Sequence, residues 1–488
     1  METRNEGITL PEAGAAVDPV LQAQGGRLLA AAALAGAAWP LCFCQAGGRG
    51  LNVLVFTAVW FVAAALLLRG LGRWDRGRAL HFGGCMGLLA LSVCCTMNAF
   101  VQTVSCLGIL LLMAMLLLGS FCETGRWQLG KYVSAVWALA LGGLRRLPDP
   151  ARLLALRCRR LGWKDRKLRY VLLGLLISLP LAAVALALLC SADAVFRDLF
   201  TWDVDLSAAA RTALRALGGF VWVFLAFFCV LSGQLHQPVD SETKPVRQRE
   251  PLVAVTFMGV LGLIYLVFCG VQVIYLFGGR ALPSGYTYAG YAREGFFQLL
   301  FVSAMNAALV LFCTWIFGRG KALKLVLTGI SACTYLMLAS SGYRMLLYVS
   351  AYGLSFLRVL VLWFLAVLAL WLGGIVACIY RARFPLFRFL FSVGLSLWLC
   401  FAFARPDYLA AKYNAETFGV TDEVAEAILR DLSEDAAPVM ADYAYTGQQF
   451  QLAWAARPQV LEEDAAARDP RAFNLALWQA ARATRELR

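Results

Sequence analysis

Residues 101–121 read VQTVSCLGILLLMAMLLLGSF, a run without a single Asp, Glu, Lys, Arg or His. The helix of a soluble core shows a polar face at every turn. An uninterrupted apolar run of roughly 20 residues is instead long enough to cross the hydrocarbon core of a bilayer. This stretch therefore predicts a transmembrane helix, and runs like it recur along most of the chain.

Composition extends that prediction to the whole protein. Of 488 residues, 61% are hydrophobic and 15% are charged, which leaves too few polar side chains to cover a water-soluble globule. We predict an all-α, polytopic transmembrane helical bundle, because helices satisfy their own backbone groups in lipid. Its eleven predicted spans are residues 28–44, 51–68, 82–97, 101–121, 170–190, 217–235, 252–277, 296–317, 323–340, 359–380 and 389–404.

The distribution of charge predicts the orientation. The net charge is +14, yet the segment after Ala404 holds nine Lys or Arg against 14 Asp or Glu. The positive excess lies in the short loops between the spans. The loops on one side of the membrane hold 25 Lys or Arg, and those on the other side hold 8. This bias indicates the positive-inside rule rather than a nucleic-acid surface. We expect a cytoplasmic N-terminal tail (1–27), a transmembrane domain (28–404) with a basic cytoplasmic loop (122–169), and an acidic, helical, extracytoplasmic C-terminal domain (405–488).

Two apolar stretches make the span count uncertain by one or two. Residues 132–144 are too short to span and have basic neighbours on both sides, so we predict an interfacial helix on the cytoplasmic face. Met345 to Leu357, between Arg344 and Arg358, suggests a similar helix on the outer face. The run from Arg145 to Arg169 interleaves ten basic residues with leucines, which predicts binding to anionic inner-leaflet lipid, with a cytoplasmic protein partner as the alternative.

Polar residues within the spans are uncharged. Ion and proton transport usually leaves charged or histidine side chains inside spans, and none is predicted there. Such polar residues can line a substrate path, but hydrogen bonding between helices is the favoured interpretation. They are Asn98, Gln102, Gln272, Asn306 and Thr328.

One predicted outer loop, SADAVFRDLFTWDVD at residues 191–205, concentrates acidic side chains. Asp193, Asp203 and Asp205 could bind a divalent cation, and the spacing of the last two is similar to the metal-holding acidic pair of lipid-linked glycosyltransferases. A helix cap by Asp193 with an ion pair to Arg197 is favoured over either role. No metal site, cofactor site or catalytic motif is predicted, and the 15 cysteines are interpreted as small buried hydrophobic residues.

Three stretches together carry a family resemblance: SADAVF at residues 191–196, SGYRMLLYVSAYGLSFLR at residues 341–358, and an asparagine near Asn414 followed by LSEDAAP at residues 432–438. They resemble a bacterial membrane-protein family, domain of unknown function 4173, related to domain of unknown function 4153. The resemblance implies a many-span bacterial membrane protein without an established activity. Independently of the family resemblance, arginines and tyrosines at the depth of the lipid headgroups could bind an anionic headgroup. An interfacial helix anchored by these side chains is the favoured interpretation. The residues concerned are Arg344, Tyr348, Tyr352 and Arg358.

The leading functional hypothesis is a non-enzymatic protein of the bacterial cytoplasmic membrane with a sensing, regulatory or envelope-scaffolding role. A transporter of a lipophilic or zwitterionic solute is the second hypothesis, for which a polar path joining Gln272 and Asn306 would be expected. A lipid-linked transferase using Asp203 and Asp205 is the third. Membrane lipids are the predicted partners and no nucleic acid is expected, while the sequence does not identify a protein partner.

Overall fold

The computed structural model describes residues 19–44, 48–160, 208–236, 248–274, 296–318, 320–381, 384–419, 422–443 and 469–485, with four isolated positions between 174 and 189. These residues form helices and connections, without a β-strand among them. The helices are α1 (Pro19–Phe43), α2 (Leu51–Gly70), α3 (Arg76–Cys95), α4 (Ala99–Phe121), α5 (Leu129–Leu144), α6 (Asp149–Arg160), α7 (Ala208–His236), α8 (Pro251–Gln272), α9 (Phe296–Ile316), α10 (Lys321–Tyr352), α11 (Phe356–Tyr380), α12 (Leu386–Phe403), α13 (Pro406–Phe418), α14 (Asp422–Asp431), α15 (Ala437–Tyr443) and α16 (Leu475–Arg485).

Ten of these helices are long and apolar enough to cross a membrane. They are α1 to α4 and α7 to α12, and they coincide with ten of the eleven predicted spans. The remaining prediction, residues 170–190, lies outside the described residues. The apolar stretch at 132–144 forms α5, which at 16 residues is too short to span.

The spans pack into two apolar cores. In the first, α1 packs along α2 and α7, and Ala31, Ala32 and Ala35 are buried between them. Small side chains let helix backbones approach closely where lipid supplies no hydrophobic drive between helices. The second core joins α8, α9, α10 and α11 around residues such as Met258 and Leu327. Helix α12 contacts both halves, because it packs against α11, α3 and α5.

Helix α10 differs from the prediction. The sequence suggested a span ending at Ser340 and a separate outer-face helix over Met345 to Leu357, but α10 continues without a break from Lys321 to Tyr352. Nothing between Ser340 and Tyr352 interrupts a helix, whereas Gly353 adopts φ +72° and ends it. The prediction of a separate interfacial helix was therefore wrong, and Arg344 lies within the long helix.

The C-terminal module consists of α13 to α16 with two short 3₁₀ turns. Its core is small and rich in alanine, for example Ala410, Ala411 and Ala480. Hydrogen bonds tie it to residues 48–51, 93–98 and 354, at connections between the spans α1 and α2, α3 and α4, and α10 and α11. The module thus holds three connections at one end of the bundle.

Candidate functional site

A polar cluster is buried within the second half of the bundle. The Tyr265 hydroxyl donates to Asn306 Oδ1 over 2.8 Å, and Asn306 Nδ2 donates to Thr334 Oγ1 over 3.1 Å. Asn306 is fully buried. Because an unpaired amide in an apolar interior is costly, these bonds fix the mutual register of α8, α9 and α10.

A second polar cluster joins the same α8 and α10. Gln272 is 5% exposed, and its Oε1 accepts hydrogen bonds from the Ser340 hydroxyl at 2.6 Å and from Arg344 Nη2 at 3.3 Å. Arg344 is also 5% exposed. A guanidinium carries five N–H donors in a fixed fork, and Gln272 accepts a hydrogen bond from one of them.

A cavity of about 330 Å³ is lined by one residue of each cluster. Tyr265 of the first cluster and Arg344 of the second line it, together with Gln298. The remaining wall is apolar and comprises Ile264, Phe268, Leu299, Val302 and Met337. The space is therefore amphipathic, with a few hydrogen-bonding side chains on a mainly apolar wall.

The length of α10 gives the approximate depth of this cavity. Arg344 follows Lys321 by 23 positions, about 35 Å at 1.5 Å per residue. The hydrocarbon core of a bilayer is about 30 Å thick. With Lys321 at one boundary, Arg344 lies at the other, and its side chain leans back toward the helix N-terminus and hence into the bilayer. The cavity then reaches from headgroup level into the hydrocarbon.

The other three residues of the predicted arginine and tyrosine group meet each other at the end of α10. The Arg358 guanidinium lies 4.4 Å from the centre of the Tyr348 ring, and that ring is 4.9 Å from the Tyr352 ring. Arg358 Nη1 also donates to the carbonyl oxygens of Tyr352 and Gly353. Since terminal carbonyls of a helix lack partners within it, Arg358 closes the helix end. Arg344 instead contacts Gln272 and the cavity.

The turn after α10 is clamped by the C-terminal module. Asn414 Oδ1 accepts from the Leu354 N–H over 2.6 Å, and its Nδ2 donates to the Leu354 carbonyl over 2.7 Å. A Cβ atom at Gly353 would come within 2.6 Å of Asn414 Oδ1. Two stretches that carried the family resemblance, residues 341–358 and the segment around Asn414, are therefore in direct contact.

Two buried carboxylates anchor the module on the connection between α3 and α4. Asp435 is fully buried and accepts hydrogen bonds from the Thr96 hydroxyl and the Met97 N–H. It also forms an ion pair with Arg405 at 3.2 Å. Removal from water outweighs these bonds and, with the Asp407 charge adding to it, raises the pKa of the Asp435 carboxyl above its usual 3.8.

Asp407 is the second carboxylate, and it too is fully buried. Its Oδ2 accepts from Asn98 Nδ2 at 2.8 Å and from the Ser433 N–H at 3.1 Å. Asn98 also caps α4 by accepting from the Val101 N–H. Asn98, which the sequence analysis counted among the polar residues of the spans, is thus a helix cap and a docking contact.

Asn474 makes the third docking point. It is 2% exposed, and its Nδ2 donates to the carbonyls of Arg49, Val93 and Thr96 over 3.0–3.3 Å. Its Oδ1 accepts from the N–H groups of Ala476 and Leu477 and so caps α16. One side chain therefore starts a helix and binds two connections of the bundle.

The other polar span residues also form hydrogen bonds. Gln102 Nε2 donates to the Thr96 carbonyl at 2.8 Å, and the Thr328 hydroxyl lies 2.8 Å from the Tyr380 hydroxyl of α11. The favoured interpretation of these residues, hydrogen bonding that joins helices and connections, agrees with the contacts. Next to the clusters of Gln272 and Asn306 there is also a cavity, which that interpretation did not include.

Several predicted sites lie outside the described residues. These are Asp193, Arg197, Asp203 and Asp205 of the acidic loop, together with residues 161–169 of the basic run. Residues 149–160 of that run form α6, in which Asp149 pairs with Arg146 and Arg152 at 3.7 Å. No group of three or more His, Cys, Asp or Glu side chains suitable for a metal occurs within the described ranges.

Comparison with known proteins finds a matching family. No curated protein matches the chain, and no solved structure does. A family model described as "Domain of unknown function (DUF4153)" matches residues 83–443, from α3 to the end of α15. This is the family that the resemblance gave as a relative, while membership of domain of unknown function 4173 is not shown. The chain belongs to the family described as "Domain of unknown function (DUF4153)".

Proposed function

We propose that the protein is a non-enzymatic, multi-pass protein of the bacterial cytoplasmic membrane that binds an amphiphile in the cavity beside Arg344. The observation that carries the proposal is the cavity itself, with Arg344 and Gln298 on an otherwise apolar wall. Binding would give the protein a sensing or regulatory role. The C-terminal module touches the turn that ends α10, so the helix that lines the cavity is joined to the part of the chain beyond the spans.

The chemistry of the wall defines the ligand class. An apolar body gains by contact with Phe268, Leu299 and Met337, since ligand pockets are mainly apolar with a few placed polar groups. A headgroup that accepts hydrogen bonds matches the N–H donors of Arg344 and Gln298. The volume of about 330 Å³ lies at the lower end of the range for small-molecule sites, about 300–1,000 Å³, which favours a single-chain ligand.

A binding assay with a fluorescent fatty-acid analogue, dansyl-undecanoic acid, tests the proposal on the full chain in neutral detergent. Met337→Trp fills the cavity without removing a polar group, and we expect it to weaken saturable binding by at least about tenfold, a change of 1.4 kcal/mol. The matched control is Leu325→Trp on the same helix, at a side chain that is 76% exposed, and it should leave binding unchanged. Equal affinities for Met337→Trp and the unmodified protein would refute the cavity as the site.

Transport of a lipophilic or zwitterionic solute is the second candidate. The supporting observation is that the cavity extends from Arg344 to Tyr265, which is bonded to Asn306. Neither Gln272 nor Asn306 lines the cavity, so the polar path between them that a transporter would be expected to have is not found along its wall, and this counts against the candidate. Asn306→Leu should stop flux of the same analogue across proteoliposomes while preserving its binding; unchanged flux would remove the transport hypothesis.

A lipid-linked transferase is the third candidate, and it depends on Asp203 and Asp205, outside the described residues. Its test is a metal-dependent turnover assay with an undecaprenyl-phosphate sugar donor. Turnover that disappears in Asp203→Asn or Asp205→Asn would replace the non-enzymatic proposal with an enzymatic one.

A further inference from the structure

A groove of about 960 Å³ lies between α5 and α9, on the side of the bundle away from the C-terminal module. Its walls are formed by Val133, Trp137 and Leu141 of α5 and by Phe312 and Trp315 of α9. The connection from α11 to α12 and the first turn of α12, which includes Phe387, close one side. This volume is near the top of the range for small-molecule sites, about 300–1,000 Å³.

The packing of α5 keeps the groove open. The opposite face of α5 packs on α7, where Gly143 lies against Val230. At its other end the Tyr132 ring stacks on Phe387, with the ring centres 3.8 Å apart. Helix α5 is therefore fixed on two sides, while Trp137 remains 66% exposed and Trp315 49% exposed along the groove. Exposed tryptophans with an apolar floor are typical of the lipid-facing surface near the membrane interface.

Three basic residues lie close, in the fold or in sequence, to residues that line the groove. Lys324 lines a small crevice that shares Thr314 and Cys378 with it. Arg381 follows Cys378 by one helical turn, and Arg388 is adjacent to Phe387. None of these three cations forms a salt bridge with another described residue. The groove is thus an apolar channel with basic residues next to its lining residues.

We propose that this groove holds a phospholipid with an anionic headgroup. The acyl chains lie along Phe312, Trp315 and Trp137, and the headgroup phosphate contacts Lys324, Arg381 and Arg388. The apolar lining selects a lipid over a free anion, and the basic residues select an anionic over a zwitterionic headgroup. The site is independent of the Arg344 cavity, with which it shares no lining residue.

Native mass spectrometry of the full chain tests the proposal, with phosphatidylglycerol and phosphatidylcholine as probes in equimolar mixed micelles. We expect one phosphatidylglycerol to be retained in preference. A basic residue near the membrane surface contributes about fivefold to anionic-lipid affinity, so the double variant K324Q/R381Q should lose about 30-fold. The control R69Q/R76Q removes two exposed arginines, at the end of α2 and the start of α3, and it should change affinity less than twofold.

A second variant separates the groove from the charge. Ala138→Trp places an indole on the α5 wall and should reduce retention of both lipids without changing their ratio. The proposal is overturned if the two double variants lose phosphatidylglycerol equally, if Ala138→Trp retains both lipids fully, or if millimolar inorganic phosphate displaces the bound lipid. The last result would identify the basic residues as a site for a free anion.

Discussion

Replacement of Asn474 should weaken the docking of α16 on the bundle. Asn474→Ala removes the acceptor that caps α16, worth about 1 kcal/mol. It also removes the amide that donates to carbonyls of two connections. An NH₂ group has two hydrogens, and each net hydrogen bond contributes about 1 kcal/mol. The expected loss of docking free energy is therefore about 3 kcal/mol.

Asn474→Ser divides that loss into its two parts. Serine is an N-cap about as good as asparagine, but it cannot reach the three carbonyls with an amide. We expect a loss of about 2 kcal/mol for the serine variant. The difference of about 1 kcal/mol between the two variants measures the cap alone.

Hydrogen exchange of the α16 amides, at Ala476 and Leu477 and beyond, is the assay because it reports local opening without global unfolding. A tenfold change in the opening constant corresponds to 1.36 kcal/mol, so exchange should accelerate by about 150-fold for alanine and about 30-fold for serine. Lys412→Ala is the control, since its pair with Glu416 is half-exposed at 3.8 Å and such pairs contribute little. Exchange within twofold of the unmodified protein in both Asn474 variants would refute the docking role.

Three further predictions concern the same end of the bundle. Because burial raises the pKa of Asp435, the docked module binds a proton more tightly than the released one. Docking should therefore strengthen as the pH falls from the raised pKa toward 3.8. Proteolysis of the C-terminal module should slow over the same pH interval, and Asp435→Asn should abolish that pH dependence. Hydrogen bonds from Arg471 lower the pKa of Asp469 to about 2. The stability that the Asp469 carboxylate contributes is therefore lost only as the pH falls below 3.8 toward 2, which is below the pH range in which Asp435 changes its protonation. Gly353→Ala should cost about 1–3 kcal/mol, since φ is +72° and the added Cβ meets Asn414; it should lower the melting temperature in detergent, and an unchanged value would count against the clamp.

The spans were predictable because their signal is local. The length and composition of each apolar run are enough to identify it as a span. Ten of the eleven predicted spans accordingly coincide with helices of the described chain. The end of α10 was missed for a physical reason: the prediction stopped at bilayer length, whereas hydrogen bonding continues until a residue breaks the helix, which here is Gly353.

The candidate site was only partly predictable. Gln272 and Asn306 were singled out because amides are uncommon in apolar runs, and Arg344 because it begins an Arg- and Tyr-containing pattern. The cavity lined by Tyr265, Gln298 and Arg344 depends on how α8, α9 and α10 pack, which no local pattern specifies. Likewise, Asp435 contacts Thr96 across 339 positions, and a single sequence carries no signal for such a pairing.

An experimental density map of the full chain, reconstituted with lipids from its own membrane, tests the central claim most directly. The account predicts elongated density between α8, α9 and α10, with its polar end within hydrogen-bonding distance of Arg344 and its tail against Met337. A cavity closed by side chains, or one that contains only ordered water bridging Tyr265 and Arg344, would contradict it.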